Sequence, residues 1–255
     1  MKDVQNTIDH RGINIDKVGV KNIRYPITVL DKLHEVQHTI ASINMYVDLP
    51  KQFKGTHMSR FIEILNQYRG NINIKDYPDI LDNMQRKFNA HSAHLEIEFP
   101  YFIEKKAPMS GAKSLMEYNC RFTGVKNGNG LDFILEVTVP VLTLCPCSKE
   151  ISKHNAHNQR SFVTVHLRFN GLVWIEEVVK IVEGSASAEL FSLLKRADEK
   201  YITEYAYEHP MFVEDIVRDV ANKLKSNKQI TWFSVEAENL ESIHNHNVYA
   251  CVEYK

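Results

Sequence analysis

Between Leu144 and Ser161 the chain reads LCPCSKEISKHNAHNQRS. Two thiols, Cys145 and Cys147, stand one residue apart, and two imidazoles, His154 and His157, follow among amide and basic side chains. Three chemistries compete for that pattern. A structural zinc knuckle needs four soft ligands, usually with two or more residues between paired cysteines. Here one residue intervenes, and the other cysteines, Cys120 and Cys251, sit alone in strand-like runs. A redox dithiol usually has two intervening residues, and a Cys-Pro-Cys disulfide would close under strain. The third chemistry is an open catalytic metal site. One thiolate and one imidazole from this segment would join a carboxylate from elsewhere and leave a position for water. Inert packing is the remaining alternative, and spacing does not choose between His154 and His157.

Two further stretches bear on the choice. LLKRADEKYITEYAYEHP sets Glu199 and Glu204 beside Lys195, Arg196 and Lys200; a solvated helix start is its plainer meaning. ENLESIHNHNVYA places Glu238, Glu241, His244 and His246 between two strands. A glutamate with a histidine three residues on can move protons; a polar hairpin loop is the alternative.

Such residues need a scaffold, and chemistry tends to sit on loops carried by one. Alternation predicts strands over 17–30 and 35–49 with a turn at 31–34. THMSRFIEILNQYR carries Met58, Phe61, Ile62, Leu65 and Tyr68 at helical spacing, and a second helix after Pro78 turns Leu81, Met84 and Phe88 inward. LEIEF and LMEYNCRF read as strands, the latter with Met116, Tyr118, Cys120 and Phe122 on one face. Turn signals fall at 108–111 and 126–130. The second half repeats the order. LDFILEVTVPVLTL is a long strand in which Pro140 predicts a bulge or an edge. FVTVHLRF is a strand, VWIEEVVKIVEG and FVEDIVRDVANKLK are helices, and WFSVEAEN and VYACVEYK are strands. The expectation is an α+β fold, ββααββ twice, with antiparallel sheets and helices on one face, divided into 1–127 and 128–255.

A chain of 255 residues with 44% hydrophobic and 25% charged side chains can bury a substantial core. Its formal charge of -1 provides no global field for nucleic acid or an anionic membrane. MKDVQNTIDHRGINIDKV has no apolar segment of a signal peptide, and no run nears the ~18 apolar residues of a membrane span. Four cysteines are too few for a secreted disulfide framework. A cytoplasmic protein with reduced thiols is expected.

Taken together, GTHMSRFIE, TLCPCSKEIS, AHNQRS, LLKRADEK, FVEDIVRDVA and ENLESIHNH resemble the type IB GTP cyclohydrolases of bacterial folate synthesis, over nearly the whole chain. The resemblance implies tandem tunnelling-fold units whose barrel closes by oligomerisation, in a homotetramer with active sites between subunits. It implies that water adds to C8 of GTP, the imidazole ring opens, a second hydrolysis releases formate, and the ribose rearranges to 7,8-dihydroneopterin triphosphate. Carried over by position, Cys145, His157 and Glu199 hold a divalent metal, and the mixed donor set suits Zn²⁺, Mn²⁺ or Fe²⁺. Cys147 becomes a neighbour able to pair with Cys145 when metal is lost. Glu214 anchors the guanine, whose N1–H and 2-amino group are adjacent donors. Glu241 and His244 form the acid/base pair, with His246 the close alternative. Lys149, Arg160, Lys195 and Arg196 are the cations for the triphosphate, with Ser59 and Arg60 behind them. A nitrile reductase of the same fold is disfavoured, because Glu241-Ser242-Ile243-His244 does not match its ESLK-like signature. A purine-binding module without turnover would not need Glu241 or His244.

Overall fold

The alternating runs near the amino end form a long antiparallel ribbon in the computed structural model, which describes residues 5, 7–68, 72 and 74–255. β1 (Ile15–Asp31) pairs with β2 (Glu35–Leu49) through the expected turn. Asp31 Oδ1 closes that turn by accepting from the N–H groups of Leu33 and His34, each at 2.8 Å, the side-chain-to-backbone geometry aspartate favours. α1 (Ser59–Gln67) buries Phe61, Ile64 and Leu65. The apolar face expected from the sequence is therefore rotated: Met58 and Ile62 are 39% and 40% exposed. Positions 61, 64 and 65 share one helical stripe, and position 62 lies off it. α2 (Tyr77–Phe88) buries Tyr77, Ile80, Leu81 and Met84 and ends at Asn89 in the left-handed conformation, φ +49°. Phe88 stacks on Phe61 with ring centroids 4.2 Å apart.

β3 (Ala93–Lys106), β4 (Lys113–Asn127) and β5 (Gly130–Leu144) follow, with turns at both expected places. Each contributes to two compact units, Met1–Pro100 with Arg121–Ile134 and Tyr101–Cys120 with Leu135–Lys255. In the first unit the Tyr77 hydroxyl donates to Phe122 O at 2.9 Å, and its ring meets Phe133 edge-on at 5.1 Å. The ring lies over Gly124, where an added Cβ would fall 2.7 Å from two of its carbons. Tyr77 is fully buried and has nowhere to retreat. Gly124→Ala is expected to destabilise by about 1–3 kcal/mol through overpacking, measured by urea titration; an unchanged midpoint would show that the ring gives way freely.

The second unit continues with α3 (Pro146–Ile151), β6 (Asn158–Phe169), α4 (Ile175–Glu183), β7 (Ala188–Glu189), α5 (Arg196–Glu208), α6 (Val213–Lys225), β8 (Ile230–Leu240) and β9 (Val248–Tyr254). Hydrogen-bonded neighbours run β1-β2-β3-β4-β5-β6-β8-β9, with β7 beside β5. The ladder from β5 to β6 stays in register through Pro140↔Phe162, so no bulge forms there against β6. α4 and α6 bury Val178, Val179 and Val182 and Ile216, Val217 and Val220 respectively. Fully burying each such side chain contributes about 1.5–3 kcal/mol. No helix among the described residues is long and apolar enough to cross a membrane.

Lys105 on β3 is buried in the second unit, with Nζ 2.7 Å from Glu183 Oε1 and 2.5 Å from Glu189 Oε2. The Tyr118 hydroxyl donates to the same Glu183 oxygen at 2.8 Å. Burial pushes the Glu183 carboxyl above its ordinary pKa although Lys105 pulls it down.

Candidate active site

Three strands of the second unit carry one inward series each. β5 presents Val137, Val139 and Val141, then Thr143; β6 presents Leu167, Val165 and Val163, then Ser161 and Gln159; β8 presents Phe233, Val235 and Ala237, then Asn239. All are buried. Register brings the polar members together, since Thr143 pairs with Gln159 and Ser161 with Asn239. The core thus turns polar at one end of the sheet, and a connected network satisfies it. Thr143 Oγ1 and Ser161 Oγ are 2.8 Å apart, and the Ser161 hydroxyl donates to Asn239 Oδ1 at 2.6 Å.

A cavity of about 310 Å³ opens over this end, within the usual size range of ligand pockets. One wall is the start of α3. Cys145 caps that helix, and its Sγ accepts from Ser148 N–H at 3.4 Å. The Cys145 N–H donates to His157 O at 3.1 Å, tying the thiol-bearing residue to the imidazole-bearing one. His157 Nδ1 lies 3.1 Å from Gln159 Oε1. Ser242 Oγ lies 3.4 Å from the same nitrogen; with Nδ1–H donating to the amide oxygen, Nε2 is the nitrogen left to ligate a metal. The opposite wall is the loop after β8, with Glu241, His244 and His246, the two rings stacked with centroids 5.2 Å apart. Glu214, in the first turn of α6, also lines the cavity. Met211 N–H donates to Leu144 O at 3.1 Å, which anchors the lead-in to that helix.

Cys145, Cys147, His157, Glu214, Glu241 and His244 therefore share one cavity, whereas His154 is not among the residues that line it. Glu199, Lys149, Arg160 and Lys195 are not in its lining either. Lys149 donates to Tyr207 O, with its ammonium 4.4 Å from the Tyr207 ring centroid. Arg160 is exposed between the buried Gln159 and Ser161, and Lys195 is exposed at the cap of α5. The four cysteines are free thiols. Cys145 and His157 are suitable donors for a divalent metal, a thiol sulfur and an imidazole whose other nitrogen lies beside the Gln159 amide oxygen. Among the described residues, however, no group of three His, Cys, Asp or Glu side chains is arranged to hold one.

Comparison with known proteins decides the family. The family model described as "Type I GTP cyclohydrolase folE2" matches residues 1–250. The chain belongs to that family. It is 63% identical over 253 residues to GTP cyclohydrolase FolE2 of Syntrophus aciditrophicus, covering 99% of each chain. It is 61% identical to that of Geobacter sulfurreducens, covering 99% of this chain and 98% of the relative. Among solved structures it resembles a highly active mutant of Bacillus sp. TB-90 urate oxidase, with TM-score 0.56 and 9% identity over 94% of this chain and 99% of the other. Arthrobacter globiformis uricase gives 0.53 at 10% identity over 94% and 92%. Those likenesses establish the fold: an α+β architecture dominated by antiparallel sheet, of the tunnelling kind that urate oxidases share.

For this GTP cyclohydrolase family member, the start of α5 is the structural context of Glu199. Its neighbour Asp198 is fully buried and accepts from Met109 N–H, Ser110 N–H and Lys195 N–H at 2.8 Å and from the Ser110 hydroxyl at 2.6 Å. Burial raises its pKa, but these hydrogen bonds outweigh that and hold the carboxyl well below the usual range. A depressed folded-state pKa contributes stability above the unfolded value of about 4, and that stability is lost as pH falls. Asp198→Asn is expected to lower Tm at neutral pH and to flatten its decline between about pH 5 and pH 3. A variant that follows the parent's acid profile would place that decline elsewhere.

Gln159 and Asn239 were not among the sequence candidates. Their signal was present nonetheless: an uncharged amide at an inward position of an otherwise apolar alternating series must have a partner.

Proposed function

We propose that this chain hydrolyses GTP to 7,8-dihydroneopterin triphosphate and formate, the entry reaction of tetrahydrofolate synthesis. The observation that carries it is the gathering of Cys145, His157, Glu214, Glu241 and His244 around one cavity. Glu214 accepts from N1–H and the 2-amino group of guanine. Glu241 and His244 move protons to N7 and from the attacking water. Cys145 and His157 hold a divalent metal, Zn²⁺, Mn²⁺ or Fe²⁺, and Glu199 completes the set. When bound, the metal lowers the pKa of water and polarises the attacked centre. Because Glu199 stands apart from the cavity lining in one chain, the complete set is sought in an assembly, a homotetramer with its sites at subunit interfaces. Closure of the barrel by oligomerisation, tandem ββααββ units over 1–127 and 128–255, and a cytoplasmic location belong to the same proposal. Lys149, Arg160 and Lys195 supply charge to the triphosphate, which extends beyond the cavity.

The test is product fluorescence. The protein, purified under reducing conditions, is incubated with GTP and Mn²⁺, then oxidised and examined for neopterin emission. A signal that chelator removes supports a metal-dependent cyclohydrolase. A folded tetramer that binds GTP and gives no signal with Mn²⁺, Zn²⁺ or Fe²⁺ would leave a binding module in its place.

A further inference from the structure

Two groups in the cavity have no role in the chemistry assigned so far. Gln159 and Asn239 are 6% and 3% exposed, and both line it. Their carbonyl oxygens have neighbours within the protein: Gln159 Oε1 lies 3.1 Å from His157 Nδ1, and Asn239 Oδ1 accepts from the Ser161 hydroxyl at 2.6 Å. Thr143 supports the second contact, because its hydroxyl can donate to Ser161 Oγ at 2.8 Å and leave Ser161 free to donate onward. Neither amide nitrogen donates to any described residue. A donor shut away without an acceptor costs about 1–3 kcal/mol. Gln159 and Asn239 both line the cavity and neither nitrogen is among the fully buried unpartnered atoms, so the two donors are expected to meet water or a ligand there.

The strand register puts them side by side. Ser161 is opposite Asn239 and Arg160 is opposite Leu240, so Gln159 stands diagonally across from Asn239 on the same face. Diagonal neighbours have Cβ atoms about 7–8 Å apart or less, and two amide side chains can reach one acceptor across that span. The groups around them indicate which acceptor. Gln159 touches His157, and Asn239 stands two residues before Glu241. The donors thus lie among the groups assigned to the nucleophile and to proton transfer. The guanine edge assigned to Glu214 consists of donors, to which an amide N–H offers nothing.

We propose that Gln159 and Asn239 donate hydrogen bonds to the oxygen that water adds at C8 and stabilise its negative charge during formate release. This rests on the GTP reading above. In that step the ring-opened formamide is attacked at its carbonyl carbon by a second water, whose proton passes to a base. The C=O electron pair moves onto oxygen, and the two amide donors stabilise that charge. Collapse breaks the C–N bond, the nitrogen takes up a proton, and formate leaves. No oxidant or reductant is required. Donors already aimed at a developing oxyanion need no rearrangement when the charge appears, which is what makes them effective.

The test uses Asn239→Asp and Gln159→Glu. Each keeps an oxygen that accepts from Ser161 or His157 but puts a charged carboxyl oxygen in place of the NH₂ donor, so Asn239→Leu and Gln159→Met, which remove the donor without adding charge, are measured beside them and must show the same fall in kcat. GTP labelled with ¹³C at C8 is supplied, and the label is followed by NMR. In the parent, label is expected to emerge as formate. In each variant kcat is expected to fall about 10²- to 10³-fold, with KM for GTP within roughly threefold of the parent and label accumulating as formamide. Thermal melting checks that each variant is folded; if Asn239→Asp does not fold, Gln159→Glu decides alone. Parental kcat, or a loss confined to KM, would overturn the assignment while the GTP reading stands. A folded parent that releases neither formate nor pterin would remove that reading and this assignment with it.

Discussion

On the proposed metal-assisted mechanism, Cys145→Ala is expected to abolish turnover of GTP, with a loss of about 10³-fold or more, and to lower the protein's divalent-metal content. The size follows from the chemistry. A metal that activates water and stabilises charge supplies several kcal/mol, and each 1.36 kcal/mol is tenfold in rate. The substitution leaves the local backbone its own support: Cys145 N–H still donates to His157 O, and Lys149 N–H still donates to Cys145 O. Among the described residues Sγ itself accepts only the 3.4 Å contact from Ser148 N–H, so folding should change little. Cys147, exposed at the mouth of the same cavity, is the internal comparison, and its alanine variant should lose less. The measurements are neopterin fluorescence, metal content by atomic emission, and melting temperature. Activity within tenfold of the parent in folded Cys145→Ala would remove the thiolate from the mechanism.

The largest effect on stability is expected at Lys105. Its ammonium lies between Glu183 and Glu189 and 4.4 Å from the Phe191 ring centroid, and the side chain is 7% exposed. Lys105→Met keeps the stem and removes the charge. Breaking a buried pair on one side costs about 3–5 kcal/mol: Glu183 keeps the hydrogen bond from Tyr118, but it and Glu189 lose the cation between them. The penalty should depend on pH in a definite direction. Glu183 already has a folded-state pKa above its ordinary value. A raised pKa contributes stability at low pH that is lost as pH rises through it, and removing Lys105 raises it further. The deficit of Lys105→Met should therefore be largest near neutral pH and shrink as pH falls toward the carboxylate range. Urea unfolding of parent and variant across that window measures it. A deficit below about 1 kcal/mol, the usual size for an exposed pair, would mean that water reaches the cluster.

Much of the scaffold was legible because periodicity reports burial directly. The runs that became β1, β2, β6 and β8, and the helices α4 and α6, alternate or repeat as their buried faces require. Pro140 was misleading: proline signals a missing donor, but not whether a neighbour needs it, and the strand stays in register with β6. α1 was placed correctly but rotated, since Ile62 and Ile64 are equally apolar and only packing selects the second. The same division holds for the site. The thiols, the histidines and Glu241 stand out by type, the family resemblance picks Cys145, His157 and His244 from among them, and these line one cavity with Glu241. Glu199 is as conspicuous in sequence but stands apart from that lining, because spacing along the chain carries no information about which elements meet. The inward amides were overlooked for the opposite reason: uncharged side chains attract little notice until the strands on either side of them are known.

The row of inward residues that runs from valines into Thr143, Ser161, Gln159 and Asn239 also bears on how this molecule can go wrong. A slip of β6 or β8 by one residue would turn every side chain of that strand to the other face. Arg160 would then face the buried side in place of Gln159, and Phe162 in place of Ser161. Dry packing and cavity chemistry are thus indexed by the same pairing, and an error in one is an error in both. A chain that reaches its stable state has therefore already passed the check that sets its polar end in place. Misregistered copies should be lost as poorly folded protein and should not persist as well-folded molecules with a defective site.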